Sequence, residues 1–210
     1  MSLRPIMDAG PGLNFLSLNK ERLLFDTVGP LRVPEKVEEE ILRKSRQDRR
    51  FSAAENVWRR LPERLLQVLS DDSTNEDLSR AVGRISGTSF EQRIRISKNL
   101  GEVMVISHAS VAAESGENVI ILIDDSGGRQ IAAVEARRLD RLRLMGKPAG
   151  SIRLISTLTV LQKAAGREHI PNKKSMRTLY SRLRQLDDGL VPIEQTGLLS
   201  LPCWKLSLIH

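Results

Sequence analysis

The most distinctive hydrophobic pattern in the chain is an uninterrupted aliphatic run over residues 119–123, followed at once by Asp124 and Asp125. Five apolar residues without polar alternation are typical of a strand covered on both faces, as in a parallel sheet. A second apolar segment, residues 5–7, ends in the same way at Asp8. The pattern predicts two strands that deliver acids to one sheet edge, where open α/β folds place their sites.

The rest of the chain alternates between short apolar runs and apolar residues at helical spacing. Further strands are predicted at residues 31–33 and 152–155. A turn is predicted at Gly10-Pro11-Gly12, and residues 71–98 are polar, with one or two exposed helices. Other helices are predicted at residues 13–25, 34–42, 101–113, 129–144, 158–165 and 176–186. This alternation predicts the α/β class, with a mainly parallel sheet and helices on both faces.

Composition and charge narrow the class of partner. The chain has 210 residues, 40% of them hydrophobic and 28% charged, as in ordinary globular proteins. Its net charge of +7 and its pI near 10.0 favour a polyanionic partner. Basic residues concentrate at 43–50, 137–143 and 173–184, although each cluster is equally well interpreted as a solvated helix face.

Cysteine content and hydropathy bear on location. Cys203 is the single cysteine, so no internal disulfide can form, and a reducing compartment is expected. No apolar run approaches the roughly 18 residues of a membrane span, and the N-terminus lacks the apolar core of a signal peptide. We therefore expect a cytoplasmic protein without membrane association.

Two further acids stand at helix positions where they could join the strand-end acids. Glu40 follows Val37 by three residues and can border the buried helix face, unlike Glu38 and Glu39, which are more typical of dipole-favoured surface charge. Glu102 opens a helix that is apolar nearly all round, so it is either a partner of the helix dipole or a site acid. Unpaired carboxylates in one crevice repel each other and need a cation. Oxygen-only ligands favour Mg²⁺ or Mn²⁺, which can polarise a phosphoryl oxygen and activate water.

Four segments in order resemble a known family. They are residues 6–11 (Ile-Met-Asp-Ala-Gly-Pro), 33–41 (Val-Pro-Glu-Lys-Val-Glu-Glu-Glu-Ile), 100–102 (Leu-Gly-Glu) and 122–125 (Leu-Ile-Asp-Asp), the last followed by Arg129 and Ala132. Together they are similar to the motifs of the PIN-domain nucleases, closest to a VapC-like toxin subgroup. Residues 155–161 also match that subgroup's strand-to-helix segment, so the resemblance spans roughly residues 4–170.

The resemblance implies a three-layer α/β/α fold and a Mg²⁺- or Mn²⁺-dependent endoribonuclease, often the toxin of a toxin–antitoxin pair. RNA is then the implied substrate, with a cognate antitoxin and a homodimer as further expected partners. Asp8, Glu40 and Glu102 match the first three acids of the family, and Asp125 or its neighbour Asp124 matches the fourth. We expect metal binding by all of these except Glu40, which completes the catalytic acid cluster.

Three residues are candidates for substrate contact. Arg129 either steadies a phosphate or is an exposed helix charge. Ser156 and Thr157 are typical of helix caps, with substrate contact as the second interpretation.

The chain departs from the family in three places. Gly10 stands where many members have Ser or Thr, so a hydroxyl that could orient Asp8 is missing. With the PIN-like domain placed at residues 1–165, the helical insertion at about 43–98 and the C-terminal extension at 166–210 are longer than in a minimal domain.

Three other functions compete with the nuclease interpretation. A dinucleotide loop needs G-x-G-x-x-G spacing, which Gly10-Pro11-Gly12 lacks. An aspartyl phosphotransferase would want a second acid at the position of Gly10. The third is a PIN-like module that has lost catalysis and binds RNA or protein. Its aromatic content of 3% argues against a base-stacking platform, so phosphate contacts would have to dominate.

Overall fold

A computed structural model describes residues 4–204 of the protein. The strands are β1 (Ile6–Met7), β2 (Leu31–Pro34), β3 (Leu66–Leu69), β4 (Val119–Leu122) and β5 (Ile152–Ile155). They form one sheet in the order β3-β2-β1-β4-β5, and every neighbouring pair is parallel. The predicted parallel sheet is confirmed, with β1 at its centre.

The helices flank this sheet. They are α1 (Ala9–Ser17), α2 (Glu21–Val28), α3 (Glu35–Gln47), α4 (Ala53–Trp58), α5 (Glu76–Ser86), α6 (Phe90–Arg93), α7 (Leu100–Glu114), α8 (Ser126–Leu144), α9 (Thr157–Ala164) and α10 (Lys173–Leu186). Helix α7 crosses four of the five strands and has α3 and α8 beside it, while α2 packs on α9. The fold is the predicted three-layer α/β/α arrangement. None of the helices within residues 4–204 has the length and apolar character needed to cross a membrane.

The first predicted helix is in fact two helices, α1 and α2. The two helices are separated at Asn19, whose backbone has a φ of 53°. Asparagine tolerates this left-handed conformation better than most residues. The Gly10-Pro11-Gly12 segment, predicted as a turn, lies in the first turn of α1 instead. Proline is accepted there because the first N–H groups of a helix have no intrahelical partner.

The segment 43–98, predicted as a helical insertion, also contains strand β3. That strand pairs with β2 from Leu66 opposite Leu31 to Leu69 opposite Pro34. Its four residues include the polar Gln67, so it lacks the aliphatic run that made β4 recognisable. The insertion is therefore partly built into the sheet rather than added to it.

The C-terminal segment is also part of the main core as far as residue 204. Side chains of α10, including Met176, Tyr180 and Leu183, are buried in the same cluster as Ile6 of β1. Residues 1–3 and 205–210, which belong to the predicted domain and extension, lie outside the described residues. The described part of the extension is thus fixed in position relative to the sheet.

Candidate functional site

The site lies at the carboxyl ends of β1 and β4, where the order of the strands reverses. Ligands of open α/β sheets bind in the crevice at this switch point, because the helices on either side leave in opposite directions. Asp8 directly follows β1, and its backbone N–H donates to the Leu122 carbonyl over 3.0 Å. Asp124 and Asp125 follow β4 after one intervening residue. The sheet register therefore brings together the two strand-end acid positions predicted from the sequence.

Helices α3 and α7 bring the other two predicted acids to the same place. A Cβ atom added to Gly101 would lie 2.9 Å from Glu40 Oε2 and 3.5 Å from Asp8 Oδ1. The two carboxylates thus converge on the first turn of α7, which also carries Glu102. Glycine at position 101 leaves room for both.

All five predicted acids line one cavity of about 800 Å³. Asp8, Glu40, Glu102, Asp124 and Asp125 come from four separate segments of the chain. Because these segments belong to the sheet and to helices packed on it, the acids are positioned by the core rather than by a loose loop.

Asp8 is the most perturbed of these acids. It is only 5% exposed, and it makes no side-chain capping hydrogen bond to α1. Burial, with repulsion by Glu102 and Glu40, raises the pKa of Asp8 from 3.8 to about 7, although the N–H groups of Ala9 and Gly10 act in the opposite direction. A buried carboxylate without a cation is costly, so the site favours a positive ligand here.

Glu102 and Asp125 form the adjacent wall. Burial first, and then repulsion by Glu40 and Asp125, raises the pKa of Glu102, while Lys44 lowers it. Asp125 caps α8 by accepting a hydrogen bond from the Gly128 N–H at 2.7 Å, which uses one of its carboxylate oxygens. The exposed Asp125 side chain can therefore cap the helix and still face a ligand.

Asp124 is held differently, by Thr157 at the start of α9. One carboxylate oxygen accepts from the Thr157 N–H at 2.7 Å, and the other accepts from its hydroxyl at 2.5 Å. These two hydrogen bonds lower the pKa of Asp124, but burial has the larger effect and raises it overall. Thr157 is completely buried, so the structure gives it the role of positioning Asp124 rather than the predicted direct substrate contact.

Ser156 and Arg129 do line the cavity, as their predicted roles require. Ser156 is also the N-cap of α9, and its hydroxyl accepts from the Thr159 N–H at 3.3 Å. Arg129 donates from Nη1 to the Ile123 carbonyl at 3.1 Å and lowers the pKa of Asp124. Arg129 is therefore not simply an exposed charge on helix α8, which was the second interpretation from the sequence.

Residues 186–191 also line the cavity, although the sequence did not indicate them as part of the site. Asn14 Nδ2 donates to Asp187 Oδ2 at 3.0 Å and so ties the end of α10 to α1. Asp187 also raises the pKa of Asp124. Lys44 and Arg50, which belong to the basic cluster 43–50, were not assigned to the site, and they add two cations to the cavity lining. The Asn14–Asp187 hydrogen bond joins positions far apart in the chain, and no local pattern in the sequence indicates it.

The donor set fits a hard divalent cation. Within residues 4–204, no three His, Cys, Asp or Glu side chains are grouped as a ready-made metal site. Mg²⁺ does not require such a group, because it takes one or two carboxylates and completes its octahedron with water and substrate phosphate. Asp8, almost fully buried yet facing the cavity, is the carboxylate that most needs a cation.

No family model, curated protein or solved structure matches this chain. The resemblance to PIN-domain nucleases thus stays a prediction from the motifs.

Proposed function

We propose that this protein is a Mg²⁺- or Mn²⁺-dependent endoribonuclease, in which Asp8, Glu102 and Asp125 hold the cation, one or two of them directly and the rest through its water ligands. The observation that carries the proposal is the buried Asp8 carboxyl, whose pKa is raised to about 7 beside Glu102 and Glu40 at the switch point of the sheet. Strongly perturbed acids in a cavity at this position are typical of functional sites.

The five acids have different roles in the proposed site. Asp8 and Glu102 face the cavity from β1 and α7, and Asp125 faces it from the start of α8. Glu40 and Asp124 complete the negative field, with Asp124 fixed by Thr157. A bound Mg²⁺ or Mn²⁺ would polarise a phosphoryl oxygen and lower the pKa of a water molecule, which is the chemistry that phosphodiester hydrolysis needs.

Cationic side chains support a phosphate-containing substrate. Arg129, Lys44 and Arg50 line the same cavity as the acids, and the whole chain carries a net charge of +7. Arginine and lysine near a metal centre neutralise phosphate oxygens, and a positive surface attracts nucleic acid from solution. The choice of RNA over DNA rests on the family resemblance alone.

The test is cleavage of single-stranded RNA with Mn²⁺ or Mg²⁺, with EDTA, and with the Asp8→Asn and Asp125→Asn variants. We expect metal-dependent cleavage that falls at least ~100-fold in Asp8→Asn. Substituting a residue that only hydrogen-bonds to a metal ligand already lowers metal affinity or activity about 10- to 100-fold, and Asp8 is proposed as a ligand itself. Cleavage that survives both EDTA and Asp8→Asn would contradict the proposal.

RNA that is bound but stays intact with every metal would favour the non-catalytic binding module. The antitoxin, the homodimer and the cytoplasmic location remain predictions from the sequence.

A further inference from the structure

Glu40 differs from the other acids of the cavity in having a cationic partner. Of the five acids, Glu40 alone takes part in an ion pair within residues 4–204. Its partner is Lys44, one turn later on α3, with Nζ 2.6 Å from Glu40 Oε1. An acid that a metal could use is thus held by an ammonium group of the chain itself.

The position of Lys44 makes this more than a surface pair. Lys44 lines the cavity, and its charge also reaches Glu102, whose pKa it lowers. The other oxygen of Glu40 points towards Gly101 and Asp8. One ammonium therefore partly neutralises the cluster, and the Lys44 side chain that carries it is 40% exposed.

We propose that Lys44 is the internal counter-ion of the acid cluster, which leaves Glu40 when a divalent cation binds and then contacts the substrate phosphate. The inference rests on the proposed function and adds a specific positioning residue to it. Lysine suits such a transfer, since it is a point charge on a flexible stem that needs no fixed geometry at either partner. After the transfer, the negative charge of Glu40 adds to the field of the acids that hold the metal, and the charge of Lys44 is opposite a phosphate.

The first experiment measures Mn²⁺ binding by calorimetry to the wild type, Lys44→Met and Lys44→Arg. Lys44→Met removes the charge that competes with Mn²⁺ and should tighten Mn²⁺ binding about two- to fivefold. This factor corresponds to the free energy of a weak, partly exposed ion pair. Lys44→Arg keeps the charge and should bind Mn²⁺ as the wild type does.

The matched control is Lys36→Met. Lys36 is on the same helix and pairs with Glu39 at 2.7 Å, but neither residue lines the cavity. This variant should leave the affinity for Mn²⁺ unchanged.

The second readout is the KM for RNA as a function of salt concentration. A lost phosphate contact weakens binding and reduces the slope of log KM against log salt by about one. Lys44→Met should show this change, while Lys44→Arg and Lys36→Met should keep the wild-type slope.

The outcomes separate this inference from the proposed function. A wild type that binds no Mn²⁺ contradicts the proposed function and the inference together. A wild type that binds Mn²⁺, with Lys44→Met binding it equally or more weakly, overturns only the role of Lys44. An unchanged salt slope in Lys44→Met overturns it as well.

Discussion

The two ends of helix α7 border two groups of buried charge that are neutralised in different ways. At its C-terminal end, Glu135 of α8 is 4% exposed and accepts hydrogen bonds from Ser110, Arg84 and Arg138. At its N-terminal end, Asp8 is 5% exposed and is surrounded by other acids. Both side chains are almost fully removed from solvent, and their charged partners differ.

The pKa values show what the partners do. Burial alone would raise the pKa of Glu135, but hydrogen bonds from Arg138, Ser110 and Arg84 outweigh it and lower that pKa. Burial and like charges act together on Asp8 and raise its pKa to about 7. The chain thus supplies arginines to the buried acid at one end of α7, while the charged side chains that act on Asp8 at the other end are acids, which leaves the Asp8 end for a cation from solution.

The largest predicted effect is on the pH dependence of stability. Unfolded Asp8 loses its proton near its usual pKa of 3.8, while folded Asp8 keeps it until about 7, so wild-type stability falls across this range. Asp8→Asn removes this loss. The variant should match the wild type below pH 4 and exceed it by up to about 4 kcal/mol above pH 7, in denaturant unfolding with EDTA. A variant less stable than the wild type at pH 8 would contradict this.

Glu135→Gln should have the opposite sign. It removes the charge that Arg84 and Arg138 neutralise, and should cost about 2–3 kcal/mol at pH 7. Because the pKa of Glu135 is lowered in the folded protein, the cost should begin to shrink below the usual value of 4.5 and should disappear only when the pH falls through the lowered pKa of the folded state. Urea unfolding at pH 7 and at a series of acidic pH values measures both, and a cost that does not fall with pH would show that charge is not the cause.

Thr157→Val tests how Asp124 is held, with a smaller effect. The substitution keeps the shape and the backbone N–H donor but removes the hydroxyl donor to Asp124. We expect a loss of about 1.5–2 kcal/mol in stability at pH 8 and a shift of the acidic limb of the cleavage profile to higher pH. The control is Ser156→Ala, which removes the N-cap hydroxyl of α9 next to Thr157. This variant should not shift the acidic limb of the cleavage profile.

Gly10→Ser should have the smallest effect. An added Cβ would meet only Asp8 Oδ2, at an ordinary contact distance of 3.9 Å, so position 10 has room for a Cβ. A hydroxyl donor near Asp8 should stabilise its charged form by about 0.5–1 kcal/mol and increase cleavage at pH 6 up to about fivefold. Gly10→Ala lacks the donor and should show no gain.

The sequence was sufficient to place the strand-end acids, because the aliphatic run of β4 and the segment before Asp8 are local signals. Strand β3 was not predicted, and it is an edge strand in which only Leu66 of the four residues is buried. Glu40 was located by its helical spacing from Val37, and Glu102 by its place at the start of an apolar helix, which left Glu102 open between two roles.

The missed parts of the site depend on contacts between distant segments. Asp187 reaches the cavity because α10 packs on α1, and the Asn14–Asp187 hydrogen bond joins residues 173 positions apart. Thr157 was recognised near a helix start, but its burial under Asp124 follows from the pairing of β4 with β5. Packing of this kind is decided by the whole core and cannot be read from local spacing.

The most direct test of the central claim is thermal melting at pH 8 with EDTA or with Mn²⁺, for the wild type and Asp8→Asn. At 100 times its dissociation constant, Mn²⁺ should stabilise the wild type by about 2.7 kcal/mol, or roughly 5–10 °C in Tm, and should have much less effect on the variant. A wild-type Tm that does not respond to Mn²⁺, or an equal response in Asp8→Asn, would contradict the claim that the acids at the N-terminal end of α7 are a cation site.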